Sequence, residues 1–234
     1  MSREFLTGKN SLKEALEAQL GIERVIFQRD MERKRISELI DLLEERGIPF
    51  DWADKQRLNA VSPKHQGVIA YLSAFPYADL TDLIEQNRFL IMCDGITDPH
   101  NLGAIIRSAY SFGAGGIIIP KRRSAGVDAV VFRASAGAAA HLPVARVPNL
   151  SAAIRTLKDE GYWIYGAHAH ESSGEDTAYD KKALLIIGSE DRGLSKEVQK
   201  QCDFFVRIPT ERFESLNASV AAAILMYSYY MQHK

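Results

Sequence analysis

Hydrophobic positions along the chain change their pattern at about residue 75. Before it, helical and strand-like stretches alternate. Leu12, Ala15, Leu16 and Leu20 recur at helical spacing behind Asn10, a residue suited to capping a helix. Val25-Ile26-Phe27 reads as a short strand. Ile36, Leu39, Ile40 and Leu43 form the stripe of a second helix, which Gly47 ends just ahead of Pro49. Gln66 to Leu72 reads as another strand. Residues 1–73 are therefore expected to form a small α/β unit. Residues 74–86, with Pro76 among them, are expected to serve as a linker and lead-in helix. Beyond residue 87 the strand candidates are continuous apolar runs: Phe89–Met92, Gly116–Ile119, Trp163–Tyr165 and Ala183–Ile187. Helical patterns at about 102–112, 150–160 and 196–201 separate them. Strands apolar on both faces and alternating with helices predict an α/β domain over 87–234 built on a mostly parallel sheet.

Composition adds limits rather than a function. Of 234 residues, 46% are hydrophobic and 25% charged, which excludes a disordered chain and leaves ample material for a core. The formal net charge is −1, with 12 basic and 12 acidic side chains in the first 75 residues, so a polyanionic partner would have to be met by local patches. Cys93 and Cys202 stand alone, without metal-ligand spacing, as expected of structural thiols in a reducing, cytoplasmic setting. The opening MSREFLTGKNS lacks the apolar core of a signal peptide. The apolar stretch Ala218–Met231 is too short for a membrane span.

In a parallel sheet, chemistry gathers in the loops beyond the carboxyl ends of the strands. Three such segments are distinctive. Asp94 to Gly103 reads D-x-x-x-D-P-x-N-x-G and opens a helix carrying Arg107. Gly188 to Leu194 reads G-S-E-x-x-G-L. Ile208 to Ala221 reads I-P-x(5)-S-L-N-x-S-V-A. A dinucleotide fingerprint, a phosphate loop ending in Lys-Ser/Thr, an HExxH and a GxSxG elbow are all absent. His168-Ala169-His170-Glu171 lies in a Gly/Ser-rich stretch without companion ligands, so no metal site is expected.

The three loops, in this order, resemble the SpoU (TrmH) family of RNA ribose 2′-O-methyltransferases, within the SPOUT class. The likeness spans essentially the whole chain. Gly8 to Leu16 and His65-Gln66-Gly67-Val68 resemble the ribosomal-protein-like RNA-binding domain of RlmB-like members. The resemblance implies a trefoil-knotted catalytic domain, a homodimer, and S-adenosylmethionine as cofactor. It implies catalytic roles for Asn101, Arg107, Glu190, Ser215 and Asn217, and a cofactor site at Ile187, Gly188, Ile208, Pro209 and Leu216. Arg107 corresponds to an arginine proposed in the family to act on the target ribose. A guanidinium gives up its proton reluctantly but pairs readily with phosphate or a developing alkoxide. Asp191 and Arg192 depart from the family's commoner Gly-Glu-Gly and add charge to that loop.

RNA contacts are expected from Lys121-Arg122-Arg123, the densest basic run of the second part, and from Lys9 and Arg33-Lys34-Arg35 in the first. The implied activity is methyl transfer to a ribose 2′-hydroxyl, with guanosine in 23S rRNA as the leading substrate. A tRNA-modifying relative, a resistance-type rRNA methyltransferase and a non-catalytic RNA-binding or ribosome-assembly factor are the alternatives. The joint presence of Asn101, Arg107, Glu190, Ser215 and Asn217 speaks against a pure binder.

Overall fold

The computed structural model describes residues 5–17, 20–86, 88–169, 178–211 and 216–234. The chain divides into two compact units, Met1–Phe75 and Pro76–Lys234.

The first unit runs β1 (Phe5–Thr7), α1 (Lys9–Glu17), β2 (Ile22–Gln28), α2 (Ser37–Glu45), β3 (Phe50–Ala53), α3 (Lys55–Val61) and β4 (Val68–Leu72). Its four strands lie in the order β1-β4-β2-β3, with β4 antiparallel to both neighbours and β2 parallel to β3. The helical stripe is buried as its spacing predicts: Leu12, Leu16, Ile36 and Leu43 are closed from solvent with Val25 and Phe27 of the sheet. Two local readings change. Asn10 is the second residue of α1 rather than its cap, because the helix already begins at Lys9 after Gly8, whose φ of +87° turns the chain out of β1. Leu20 lies past the end of α1, its N–H bonded to the Ala15 carbonyl. Arg33–Arg35 form a 3-10 turn ahead of α2.

The second unit runs α4 (Leu80–Gln86), β5 (Phe89–Asp94), α5 (Pro99–Ser111), β6 (Gly116–Pro120), α6 (Ala129–Ala134), β7 (Val144–Val147), α7 (Leu150–Asp159), β8 (Trp163–Ala167), β9 (Ala183–Gly188), α8 (Lys196–Gln199), β10 (Phe204–Val206) and α9 (Ala218–His233). Its six strands are ordered β10-β8-β9-β5-β6-β7, and every pairing is parallel. The continuous apolar runs are the buried strands. Leu90, Ile91 and Met92 of β5 and Leu184, Leu185 and Ile186 of β9 are fully closed from water. The molecule is thus α/β, a small mixed-sheet unit followed by a parallel-sheet unit.

The order of this sheet decides where a ligand can sit. From β5 the chain steps outward to β6 and β7. It then crosses to the other side for β8, and β9 returns to lie against β5. The loops leaving β5 and β9 therefore diverge at a crevice, the point at which open parallel sheets bind ligands. Gly103 lets α5 approach α6: a Cβ there would stand 2.4 Å from the Ala134 Cβ. Ala218 and Ala222 give α9 a slim buried face.

Candidate functional site

Each loop at the crevice is anchored by a polar group read from the sequence. Asp94 closes β5, and its Oδ2 accepts the Ser195 N–H at 2.7 Å, tying the loop after β9 to the end of β5. Asp98 caps α5, its Oδ1 accepting from the His100 N–H at 2.9 Å with Pro99 following in the first turn. The loop after β9 folds back on itself. Ser189 and Gly193 exchange backbone hydrogen bonds of 2.8 and 3.2 Å, and Gly193 takes a φ of +63° that favours glycine. Gly188 lies directly beneath this fold. A Cβ there would stand 2.3 Å from the Gly193 carbonyl carbon, so only glycine permits the approach.

Three candidate side chains from distant parts of the sequence meet above the crevice. Asn101 Nδ2 donates to Glu190 Oε1 at 3.0 Å, and Asn217 Nδ2 donates to Asn101 Oδ1 at 3.1 Å and also to Glu190 Oε1. Asn217 is the N-cap of α9. Its Oδ1 accepts from the Ser219 and Val220 N–H groups at 3.0 and 3.3 Å, and from the Ser219 hydroxyl at 2.6 Å. The Ala218 N–H donates to Glu190 Oε1 at 3.2 Å. A carboxylate thus sits at the positive end of a helix of sixteen residues, where its charge is favoured. The same contacts draw α5, the loop after β9 and α9 together.

Arg107 is elsewhere. It is the ninth residue of α5, about 9 Å further along the axis than Asn101 and about 120° around it. Its side chain is exposed and without a hydrogen-bond or ion-pair partner among the described residues. Ser215 lies outside the described residues.

Beside the cluster opens a cleft of about 340 Å³, within the range of sites that hold small organic ligands. Ile187, Gly188, Ile208 and Leu216 line it, and Pro209 does not. Further walls went unforeseen in the sequence: Ala167, His168 and Ala169 at the end of β8, Gln199 of α8, and Ala221 and Leu225 of α9. Ala167, His168 and Ala169 belong to none of the three loop motifs. They join the site because the sheet order sets β8 beside β9, with the His168 N–H bonded to the Val206 carbonyl of β10. Glu190, Asp191 and Arg192 form the charged rim. The combination of apolar walls, close glycine backbone and a charged rim fits an amphiphilic nucleoside with a charged tail. Among the described residues no cluster of His, Cys, Asp and Glu could hold a metal ion.

Among the basic candidates, Lys9, Arg33, Lys34, Lys121, Arg122 and Arg123 are exposed. Lys121, Arg122 and Arg123 are exposed in the turn after β6. In the first unit Lys9 opens α1, and the Arg33 guanidinium lies 5.1 Å from the centre of the Trp52 ring. No helix among the described residues is long and apolar enough to cross a membrane.

Comparison with known proteins agrees with this geometry. Residues 88–227 match the model of the SpoU rRNA Methylase family, and residues 5–78 match that of the RNA 2′-O ribose methyltransferase substrate-binding domain. A relative in Staphylococcus saprophyticus, named for the TrmH family of tRNA/rRNA methyltransferases, is 38% identical over 97% of this chain and 95% of its own. A similarly named Bacillus subtilis relative, YacO, is 37% identical over 97% and 95%. Among solved structures, the SpoU methyltransferase AviRb from Streptomyces viridochromogenes aligns with a TM-score of 0.71 at 27% identity, covering 98% of this chain and 89% of that one. The same enzyme in complex with AdoMet aligns with a TM-score of 0.69 at 26% identity, covering 98% and 90%. The chain belongs to the SpoU (TrmH) family of RNA methyltransferases.

Proposed function

We propose that the protein transfers a methyl group from S-adenosylmethionine to the ribose 2′-hydroxyl of a nucleotide in RNA, with guanosine of 23S rRNA as the first substrate to test. The observation that carries this reading is the meeting of Asn101, Glu190 and Asn217 beside a nucleoside-sized cleft lined by Ile187, Gly188, Ile208 and Leu216. When bound there, S-adenosylmethionine would supply an electrophilic methyl group. Leu216 and Ile208 supply apolar walls, and the backbone around Gly188 supplies donors and acceptors at close range. Asn101 and Asn217 orient the ribose through their amides, and Glu190 holds both in place. The Arg107 guanidinium, exposed and without a partner among the described residues, is available to an RNA phosphate or to the ribose oxygen. Ser215, Pro209 and the neighbouring segment complete the site by family position. Alignment of the acceptor oxygen with the methyl group would provide much of the acceleration.

Two properties of the second unit fit the family's architecture. Helix α9 follows the edge strand β10 yet packs on α5 and β9 near the middle of the sheet, and its first turn is bonded to Glu190 in the loop after β9. A trefoil knot, with the C-terminal segment passing through that loop, is the reading this path favours. Val220, Ile224, Tyr227 and Met231 recur every three or four residues and leave an apolar stripe of α9 exposed. A second copy of the chain is the partner that suits a self-complementary stripe of this kind, giving a homodimer. With its free buried thiol Cys93, the protein suits the cytoplasm.

Incubation with methyl-labelled S-adenosylmethionine and purified rRNA or tRNA tests the activity. The reading predicts labelled 2′-O-methylguanosine in nucleosides from rRNA. Label in tRNA alone would move the substrate to tRNA, and no label in either would favour a binding factor.

A further inference from the structure

The first unit contains a second cleft, of about 560 Å³, that none of the catalytic residues touches. It lies where the loop His65–Gly67 meets the end of β2 and the exposed side of α3. The loop is held in one shape. The buried His65 accepts the Gly67 N–H on Nδ1 at 2.8 Å and meets Asn59 Oδ1 with Nε2 at 3.1 Å, which sets the ring as its Nε2–H tautomer. The Gln28 N–H bonds to the Gly67 carbonyl at 2.9 Å. Gln66 is held at a φ of +49°, a conformation that side-chain-bearing residues rarely adopt, and Gly67 follows at +82°. A Cβ on Gly67 would stand 2.6 Å from the Met31 Sδ, so glycine lets the loop lie against that thioether. The Gln66 carboxamide lies over Gly8, the residue ahead of Lys9.

The groups left over are those that read a nucleobase. Gln28 donates its amide to Asp30 at 2.5 Å, so its Oε1 remains an acceptor without a partner among the described residues. Asn59 accepts from His65 with its oxygen and keeps both protons of Nδ2 as donors. Met31 and Pro63 supply an apolar surface, and Lys55 and Lys64 stand exposed at the edge. Among the described residues no cluster that could hold a metal ion accompanies them. A donor and an acceptor lining one cleft, an apolar face and two cations at its edge match one unstacked base with its phosphates.

We propose that this cleft seats an unpaired nucleotide of the RNA substrate, so that the first unit recognises a loop or bulge rather than a continuous duplex. The inference rests on the reading of the chain as an RNA-modifying enzyme, and it moves the main contact of the first unit from the Arg33–Arg35 turn to the cleft. A rigid loop loses little freedom when the base enters, which suits recognition of shape by a protein of almost no net charge.

The test uses the full chain and a short fluorescent single-stranded RNA of mixed sequence, with the blunt duplex of the same sequence as competitor. The single strand should bind more tightly than the duplex. Lys55→Glu with Lys64→Glu should weaken it by roughly tenfold or more and reduce the steepness of its salt dependence by about 0.7 for each lysine. Asn59→Ala should weaken it without changing that steepness. The two lysines are exposed, so an unchanged thermal unfolding curve confirms intact folding of the double variant. Asn59→Ala leaves the buried His65 Nε2–H without its acceptor and should unfold somewhat earlier, so its binding is read well below its own midpoint. Photocrosslinks from 4-thiouridine should fall within residues 59–67. Unchanged affinity in the double lysine variant, crosslinks only outside the cleft, equal binding of the duplex, or equal displacement by polyglutamate would each overturn the inference. Methyl transfer is scored separately: transfer without cleft crosslinks sinks this inference alone, and cleft crosslinks without transfer sink only the proposed activity.

Discussion

Glu190 takes its three hydrogen bonds on one oxygen, Oε1, from Asn101, Asn217 and the Ala218 N–H, and no partner for Oε2 occurs among the described residues. Charge and acceptor geometry can therefore be separated by substitution. Glu190→Gln keeps an acceptor and should cost about 0.3–1 kcal/mol of stability through the lost charge at the α9 N-terminus. Glu190→Ala removes the acceptor for all three donors and should cost more in stability and far more in methyl transfer. Thermal unfolding and turnover of the two variants check this, and equal turnover would mean that Glu190 does not organise the site. Gly188 gives a sharper steric test. In Gly188→Ala the new methyl group must displace the Gly193 backbone, so the folded loop should open and turnover fall by roughly a hundredfold. The protein should remain folded, since the cost falls on an exposed loop. Residue types and spacing brought Asn101, Glu190 and Asn217 to notice. The six-residue spacing of Asn101 and Arg107 on one predicted helix already sets them about 120° apart, whereas the meeting of Asn101 with Glu190 and Asn217 needed the tertiary fold.

At the scale of elements, burial decides both what was legible and what titrates. Strands β5 and β9 were legible because each is apolar on both faces. Strand β3 and helices α3 and α6 were not, since each is short and carries at most two buried side chains. Burial pushes the Cys93 thiol of β5 up from 9.0 to about 12, and it does the same to Cys202, beyond α8. Tyr162, ahead of β8, rises from 10.0 to about 12. Unfolding would expose these groups at their ordinary values. Between about pH 9 and 12 the unfolded chain therefore holds fewer protons than the folded one, and stability falls as pH rises. Below about pH 8 these groups should contribute almost no slope. Denaturation midpoints measured from pH 7 to 11 check the sign, and a rise above pH 9 would contradict it. Alkylation of Cys93 at neutral pH should require unfolding. Helix α9 gives the third element-scale expectation. It is apolar almost all round, yet Tyr227 is 49% and Met231 51% exposed in the single chain. Ile224→Glu with Tyr227→Glu should convert a dimer to a monomer in sedimentation equilibrium. A wild-type monomer at high concentration would remove the proposed interface.

For the whole molecule, the net charge of −1 conceals local basic runs, Lys121–Arg123 in the second unit and Arg33–Arg35 in the first. The protein should therefore bind bulk RNA weakly and depend on local shape, with a salt response limited to the few phosphates these groups meet. The division into two units was visible in the sequence because the hydrophobic pattern changes character at about residue 75. The cofactor-sized cleft was only partly visible. Ile187, Gly188, Ile208 and Leu216 belong to motifs, whereas Ala167–Ala169 enter the wall solely because β8 crosses the sheet to lie against β9. No local pattern encodes that crossing. The central claim is that this assembly methylates the ribose and not the base of an RNA nucleotide, and alkaline hydrolysis of RNA labelled by the protein tests it most directly. A methylated 2′-oxygen cannot attack the adjoining phosphate, so the label should survive in an alkali-resistant dinucleotide. Label recovered in mononucleotides, or none incorporated into rRNA or tRNA, would contradict the account.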